Sequence, residues 1–395
     1  MSSFATRFLS SKSRCPAKLN SKGMVLASSL TIVSVLLTLG IGIRVMLQND
    51  YRILANLRSS THSFYYSVAG IEWSKNEIAE IATFPPTPSN QTKSFANGAF
   101  ALTFSSPVVT VPLTARITVR SVGTAANATH VSEAQLIKTY DLSDAALALR
   151  GNPARALLSG AGILISSADH NQINGNLISE AKPRLAISTS NAPIPDLLSL
   201  EDPAMLDSAS LAPGLAESDY LPANFVNQLA GDLCSVPTAI LHPIPTAGSL
   251  NIDSQVWGSQ SSPEIHCVEG LSQTGDAVNF TGNISGVGIL VVRNADLVIS
   301  GIFHWQGLII VNGQEIGLKT TGSTSKEVVG AAMLNETGTP GRSTATVDIQ
   351  GNFRLLFSRE ALKKAAELIP PETLATSYAT LPAVVSQGYW RSIVR

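Results

Sequence analysis

The sequence predicts an α+β fold that is mainly β. A long N-terminal helix, transmembrane first and amphipathic later, leads into a small sheet and then a β-solenoid-like exported domain, with a β-sandwich as the alternative. Three observations carry this expectation. Met24 to Ile43 is a run of twenty residues without a charge. No proline interrupts the chain between Met24 and Phe84. Beyond the first third of the chain, short β-branched runs recur between Gly, Asn and Asp.

The apolar run makes about 30 Å of helix at about 1.5 Å per residue, the thickness of a bilayer core. A secretory signal core is only about 7–15 residues long and ends at a small-x-small cleavage site. Here the far end reads Ile43-Arg44-Val45-Met46-Leu47. Arg7, Lys12, Arg14, Lys18 and Lys22 precede the run, and the first acidic residue is Asp50. By the positive-inside rule the N-terminus is cytoplasmic and the bulk of the chain lies outside. Arg44 can reach the interface along its own stem. Leu54, Leu57, Thr61, Phe64, Val68, Ile71 and Ile78 then recur at helical spacing, so the helix continues as one rod to about Ala82. Pro85-Pro86-Thr87-Pro88 stops it.

A basic leader over residues 1–23, ending in Gly, with an apolar helix directly after it and an amphipathic continuation, resembles type IV pilin-like proteins. The stretch from Met24 to Ile78 looks most like the N-terminal region of PilX-type pilus assembly proteins, through Gly23, Leu54-Ala55-Asn56-Leu57-Arg58 and Ala69-Gly70-Ile71-Glu72. The resemblance covers about residues 19–80 and extends loosely to about residue 357. It implies cleavage by a prepilin peptidase between Gly23 and Met24, a bacterial inner-membrane location, and other pilins and minor pilins as partners beside the lipid bilayer. Filament-building pilins of this family carry Glu at the fifth mature position, and this chain has Ser28 there. The departure favours a minor, assembly or tip component over a major subunit. Ala27, Ser28, Ser29, Ser34, Gly40 and Gly42 are small enough to let other helices approach closely.

After the prolines, residues 85–150 read as a small β headgroup. Ala99–Phe104 and Ala115–Arg120 alternate as half-buried strands do, and Ala134–Tyr140 returns after a turn at Gly123–Asn127. Residues 151–357 read as the β-rich exported domain. In it Gly162-Ile163-Leu164-Ile165 followed by Ile173-Asn174-Gly175 is echoed by Gly288-Ile289-Leu290-Val291 followed by Ile299-Ser300-Gly301. Short strands with regular Gly/Asn corners suit stacked coils, although periodicity alone leaves strand direction open. Residues 190–250, rich in Pro and Leu, read as a partly ordered insertion containing one helix over Leu221–Leu233. Residues 358–395 read as a C-terminal helix and tail, the helix N-capped by Ser358.

Composition excludes some functions. Charged residues are 14% of the chain and the formal net charge is −1, which argues against nucleic-acid binding. The three cysteines, Cys15, Cys234 and Cys267, form no C-x-x-C pair, so neither a metal site nor a cofactor is expected. Cys234 and Cys267 can form a disulfide in an exported domain, two buried free thiols being the alternative. No nucleophile elbow, zinc-protease or phosphate-loop motif is present, and no catalytic residues are expected. Asp169-His170 beside Ser166-Ser167 reads as a solvated turn. Two further readings remain. The chain could be a pilus-borne adhesin for a surface or glycan, with Trp305 or Trp257 as exposed stacking residues, or a membrane-anchored polysaccharide-active enzyme.

Overall fold

The computed structural model describes residues 21–393 other than 82, 112, 152, 179–183, 191–197, 201–205, 208–214, 246–247, 272–274, 339–344 and 371–380. The leader expected over residues 1–23 therefore lies largely outside the described residues.

One helix, α1 (Ser21–Glu80), runs unbroken for 60 residues, about 90 Å at helical rise. It meets a six-stranded antiparallel sheet built from β1 (Gln91–Phe95), β2 (Gly98–Phe104), β3 (Val108–Val111), β4 (Thr114–Ala125) and β5 (Ala128–Tyr140), closed by a strand from the far end of the sequence. β4 and β5 form a hairpin whose two-residue loop has Ala126 at φ 49°. Phe100, Leu102, Ile117, Val119, Ala134 and Leu136 pack beneath Ile71 and Ile78 of the helix as one core.

The chain then builds a 17-stranded sheet. Its first arm is β6 (Ala145–Arg150), β7 (Pro153–Ser166), β8 (Leu185–Thr189), β9 (Leu198–Leu200), β10 (Leu206–Asp207) and β11 (Leu215–Glu217). A helix, α2 (Ala223–Ser235), crosses to the second arm. That arm contains β12 (Ala239–Pro243), β13 (Ser249–Ile252), β14 (Val256–Trp257), β15 (Glu264–Glu269), β16 (Ala277–Phe280) and β17 (Asn283–Arg293). It goes on through β18 (Asp296–Ile299), β19 (Ile302–Gly313), β20 (Gly317–Thr320), β21 (Lys326–Glu336) and β22 (Ala345–Phe357). A short helix, α3 (Arg359–Ala366), follows, and β23 (Ala383–Ile393) returns to pair antiparallel with β5.

The expected fold class needs correction. The chain is mostly β, with 48% of it in strands, and the large sheet is a near-closed, barrel-like parallel wall. A single long helix does not make an α layer. Every recorded pairing in the wall is parallel, which removes the antiparallel sandwich. The strands stack in succession only within the second arm, as β15–β17–β19–β21 and β16–β18–β20–β22, and not in the chain-long order expected of a solenoid. β6 lies between β8 and β21, and the two halves of β7 lie between β22 on one edge and β9 and β10 on the other. The reason is the crossover. α2 packs across β12, β15, β17, β19 and β21, carrying the chain to the far end of the wall. From there the second arm winds back until β21 and β22 cover the free edges of β6 and β7.

The sequence echo is not a structural repeat. Gly162–Ile165 pairs with Asn352–Leu355, whereas Gly288–Val291 pairs with Glu264–Cys267, and residues 172–174 form a turn. The spatial repeat is a column formed by Gly288, Gly307 and Gly330, which are register partners at φ 131°, 132° and 146°. A Cβ on Gly307 would lie 2.0 Å from the carbonyl oxygen of Gly288, and one on Gly330 would lie 1.9 Å from that of Gly307. Only glycine permits the wall to turn its corner at that spacing.

Candidate interaction surface and its joint

The sequence-predicted packing residues all lie on the first half of α1. Every residue from Met24 to Arg58 is exposed, including Leu26, Leu30, Leu36 and Ile43. By length and composition this helix can cross a membrane. Its polar side chains are turned inward along the helix. Ser28 Oγ donates to the Val25 carbonyl at 2.9 Å, Ser29 to Leu26 at 2.9 Å, Thr31 to Ala27 at 2.7 Å and Ser34 to Thr31 at 2.9 Å. Hydroxyls satisfied in this way carry little cost in hydrocarbon. Gly40 and Gly42 have no atom within 4 Å of an added Cβ, so nothing within the chain requires glycine there. Gly23 and Met24 fall in the first turn of α1.

The second half of the helix is joined to the small sheet. Its buried face is Ser63, Ser67, Gly70, Ile71, Ser74 and Ile78, so four of the six residues are small. The apolar stripe read from the sequence is partly misplaced, because Leu54 and Leu57 are exposed while serines take the sheet-facing positions. The physical reason is close approach. A Cβ on Gly123 of β4 would lie 2.1 Å from the Ser63 carbonyl oxygen, and one on Gly70 would lie 2.1 Å from Ser121 Oγ. Ser67 Oγ and Ser132 Oγ share a hydrogen bond of 2.8 Å. Small residues let backbone meet backbone, and the hydroxyls of Ser63, Ser67 and Ser74 find partners.

Lys138 of β5 ends this joint. Its ammonium is buried and donates to the main-chain oxygens of Ile78 at 2.7 Å, of Ala79 at 3.1 Å and of Ile81. These carbonyls have no helical donor left, and a cation at a helix C-terminus is favoured by the peptide dipoles. Burial pushes the Lys138 pKa from 10.5 down to about 8. A spacing pattern of small residues, Ser-x3-Ser-x2-Gly-x3-Ser over positions 63–74, is the signal that finds this face. Nothing local marks Lys138, which lies 60 residues from the carbonyl it caps.

Within the wall, Cys234 at the end of α2 and Cys267 of β15 are joined by a disulfide. Arg150 is fully buried. Its Nη2 donates to both Asp144 carboxylate oxygens at 2.8 and 2.9 Å, and its Nε to the Leu221 carbonyl at 2.9 Å. It thus fixes the point where the chain leaves the first arm for α2. Burial pushes its pKa down, opposed by the Asp144 charge and hydrogen bond. An asparagine chain holds the crossover helix to the wall. Asn335 donates to Asn312 at 2.7 Å and Asn312 to Asn227 of α2 at 2.9 Å.

One sequence reading fails here. Asp169 and His170 are buried rather than solvated. Asp169 accepts from the Arg359 backbone N–H at 2.9 Å and from its guanidinium at 3.2 Å, and His170 Nδ1 bonds the Ala168 carbonyl at 2.7 Å. The pair seats the start of α3, which Ser358 caps by accepting from the Ala361 N–H. Trp257 and Trp305, whose exposure would have supported the adhesin alternative, lie inside the wall at 6% and 0% exposure. Among the described residues, no group of three or more His, Cys, Asp or Glu is placed to hold a metal ion.

No protein-family model matches the chain, and no curated protein does. Among solved structures, the competence-associated pilin ComZ from Thermus thermophilus aligns at 12% identity, over 85% of this chain and 98% of that one. The TM-score is 0.23, and so loose a superposition carries no argument.

Proposed function

We propose that the chain is a PilX-type minor component of a type IV pilus or a related pseudopilus, acting through helix packing rather than catalysis. The observation that carries this reading is the division of α1. One unbroken helix is wholly exposed and apolar over its first half, and closely fitted to a sheet over its second. An apolar rod of that length needs either lipid or other helices around it. The close joint to the sheet makes helix and β body move together, so whatever embeds the rod also positions the wall. In this reading the rod resides in the inner membrane with its N-terminus cytoplasmic and the β body outside. Prepilin peptidase frees Met24, and the rod then exchanges lipid for the helices of other pilins. With Trp257 and Trp305 inside the wall, the adhesin reading loses the two residues named for it, while Trp73 and Trp390 stay exposed.

The test is genetic and uses the native host. Deleting the gene should reduce surface pili, the wild-type gene should restore them, and a Gly23→Val version should not. Restoration by the Gly23→Val version would overturn the reading.

A further inference from the structure

The far end of the wall carries a stacked pair of imidazoles, His266 buried and His242 half-buried, that the proposed packing role does not use. His242 of β12 and His266 of β15 are stacked, with ring centroids 5.3 Å apart and His242 Nε2 3.0 Å from His266 Nδ1. Trp257 of β14 lies parallel to both rings, 4.9 Å from His242 and 4.2 Å from His266. His266 Nε2 is 2.9 Å from the Glu264 carboxylate. That contact fixes the tautomers. Glu264 accepts from the His266 Nε2–H, which leaves His266 Nδ1 to accept from the His242 Nε2–H.

The segment bearing His242 and Trp257 lies at an edge of the wall. β12, β13 and β14 form rungs only with β15, β16 and β17, and Ile240, Leu241 and Val256 are exposed. The segment is bounded on one side by the Cys234–Cys267 disulfide and on the other by Gly258 at φ +70°. Cys267 lies on β15, so the disulfide keeps the next coil anchored if this one lifts.

We propose that the edge strands β12, β13 and β14 form an acid-sensitive strap, latched by the His242–Trp257–His266 stack and released when the imidazoles take up protons. With both rings protonated, each nitrogen of the His242 Nε2–His266 Nδ1 contact carries a hydrogen, and two N–H groups face each other across 3.0 Å. A proton on His242 puts a cation at the half-buried edge of the wall, stacked on a second imidazole and with no carboxylate hydrogen-bonded to it. Glu264 can pair with only one of the two rings. β14, β16 and β19 present Trp257, Phe280 and Trp305 to this cluster, and all three are uncharged. Glu269, on the same strand as His266, is engaged by Arg293 and Asn294. Burial pushes both imidazoles below their ordinary value of 6.5; the neighbouring His266 lowers His242 further, while the Glu264 hydrogen bond and charge oppose the shift at His266. A group with a depressed basic pKa destabilises the closed form as pH falls below 6.5, because the opened form binds protons first.

The experiment is hydrogen exchange by mass spectrometry on the full chain in detergent between pH 7.5 and 5, corrected for the intrinsic pH dependence of exchange. Peptides from 239–257 should exchange faster below the free-imidazole range, by about tenfold per pH unit for each proton taken up, while peptides from 302–336 stay unchanged. The double variant His242→Gln/His266→Gln should lose the pH response. No pH response in 239–257, or the same response in the double variant, overturns the proposal. Should that variant not fold, NMR titration of the wild-type imidazoles decides the matter. Both must titrate below 6.5, and either one titrating at or above that value overturns it.

Discussion

Lys138 Nζ donates to the carbonyl oxygen of Ile78 across 2.7 Å and 60 residues of sequence. This one contact ties the end of the long helix to the strand that leads into the large wall. Replacing Lys138 by Met leaves the terminal carbonyls buried without a donor, which costs about 2 kcal/mol. Thermal unfolding of the protein in detergent should show the loss.

The same lysine gives a pH signature. Its folded-state pKa, about 8, lies below the free value of 10.5, so the unfolded chain holds the proton longer. Stability therefore rises as pH increases from about 8 toward 10.5. Denaturant titrations across that window should show a rise in wild type that Lys138→Met lacks.

Gly123→Ala sets a methyl group 2.1 Å from the Ser63 carbonyl oxygen and should lift the helix from the sheet, costing about 3 kcal/mol. Gly40→Ala meets nothing within 4 Å and should leave unfolding of the β body unchanged. Paired melts of the two variants check the contrast.

Replacing Cys234 and Cys267 together by Ala opens a covalent loop of 33 residues. The chain-entropy estimate for such a loop is about 3–4 kcal/mol, and non-reducing against reducing melts of wild type should reproduce the loss.

Asp144→Ala leaves the Arg150 guanidinium buried and unpaired, which should cost about 3–5 kcal/mol. The double change Asp144→Ala/Arg150→Met should recover part of that loss. Chemical denaturation of the single and double variants measures the difference.

The parts legible in the sequence are those whose physics is local. An uncharged run of bilayer length, an alternating strand–turn–strand over 99–140 and the Ser358 cap each announce themselves within a few residues. The strand order of the wall does not. Runs such as Gly288–Val292, Gly307–Val311 and Gly330–Leu334 are interchangeable as apolar strands. What places β6 beside β21 is the crossover helix, a contact over long sequence distance. β23 was illegible for a related reason, since an exposed edge strand carries little apolar alternation. At the joint, hydrophobic periodicity pointed to Leu54 and Leu57, whereas close packing selected Ser63, Ser67 and Gly70. Buried polar residues such as Lys138, Asp169 and His170 resemble surface residues until their partners are known.

The central claim is that α1 is a processed pilin-like rod, and the mature N-terminus tests it most directly. Intact-mass and N-terminal peptide mass spectrometry of protein purified from its native membrane should find a chain starting at Met24, with residues 1–23 removed. A chain that retains the segment before Gly23, or is cut anywhere else, would contradict the account.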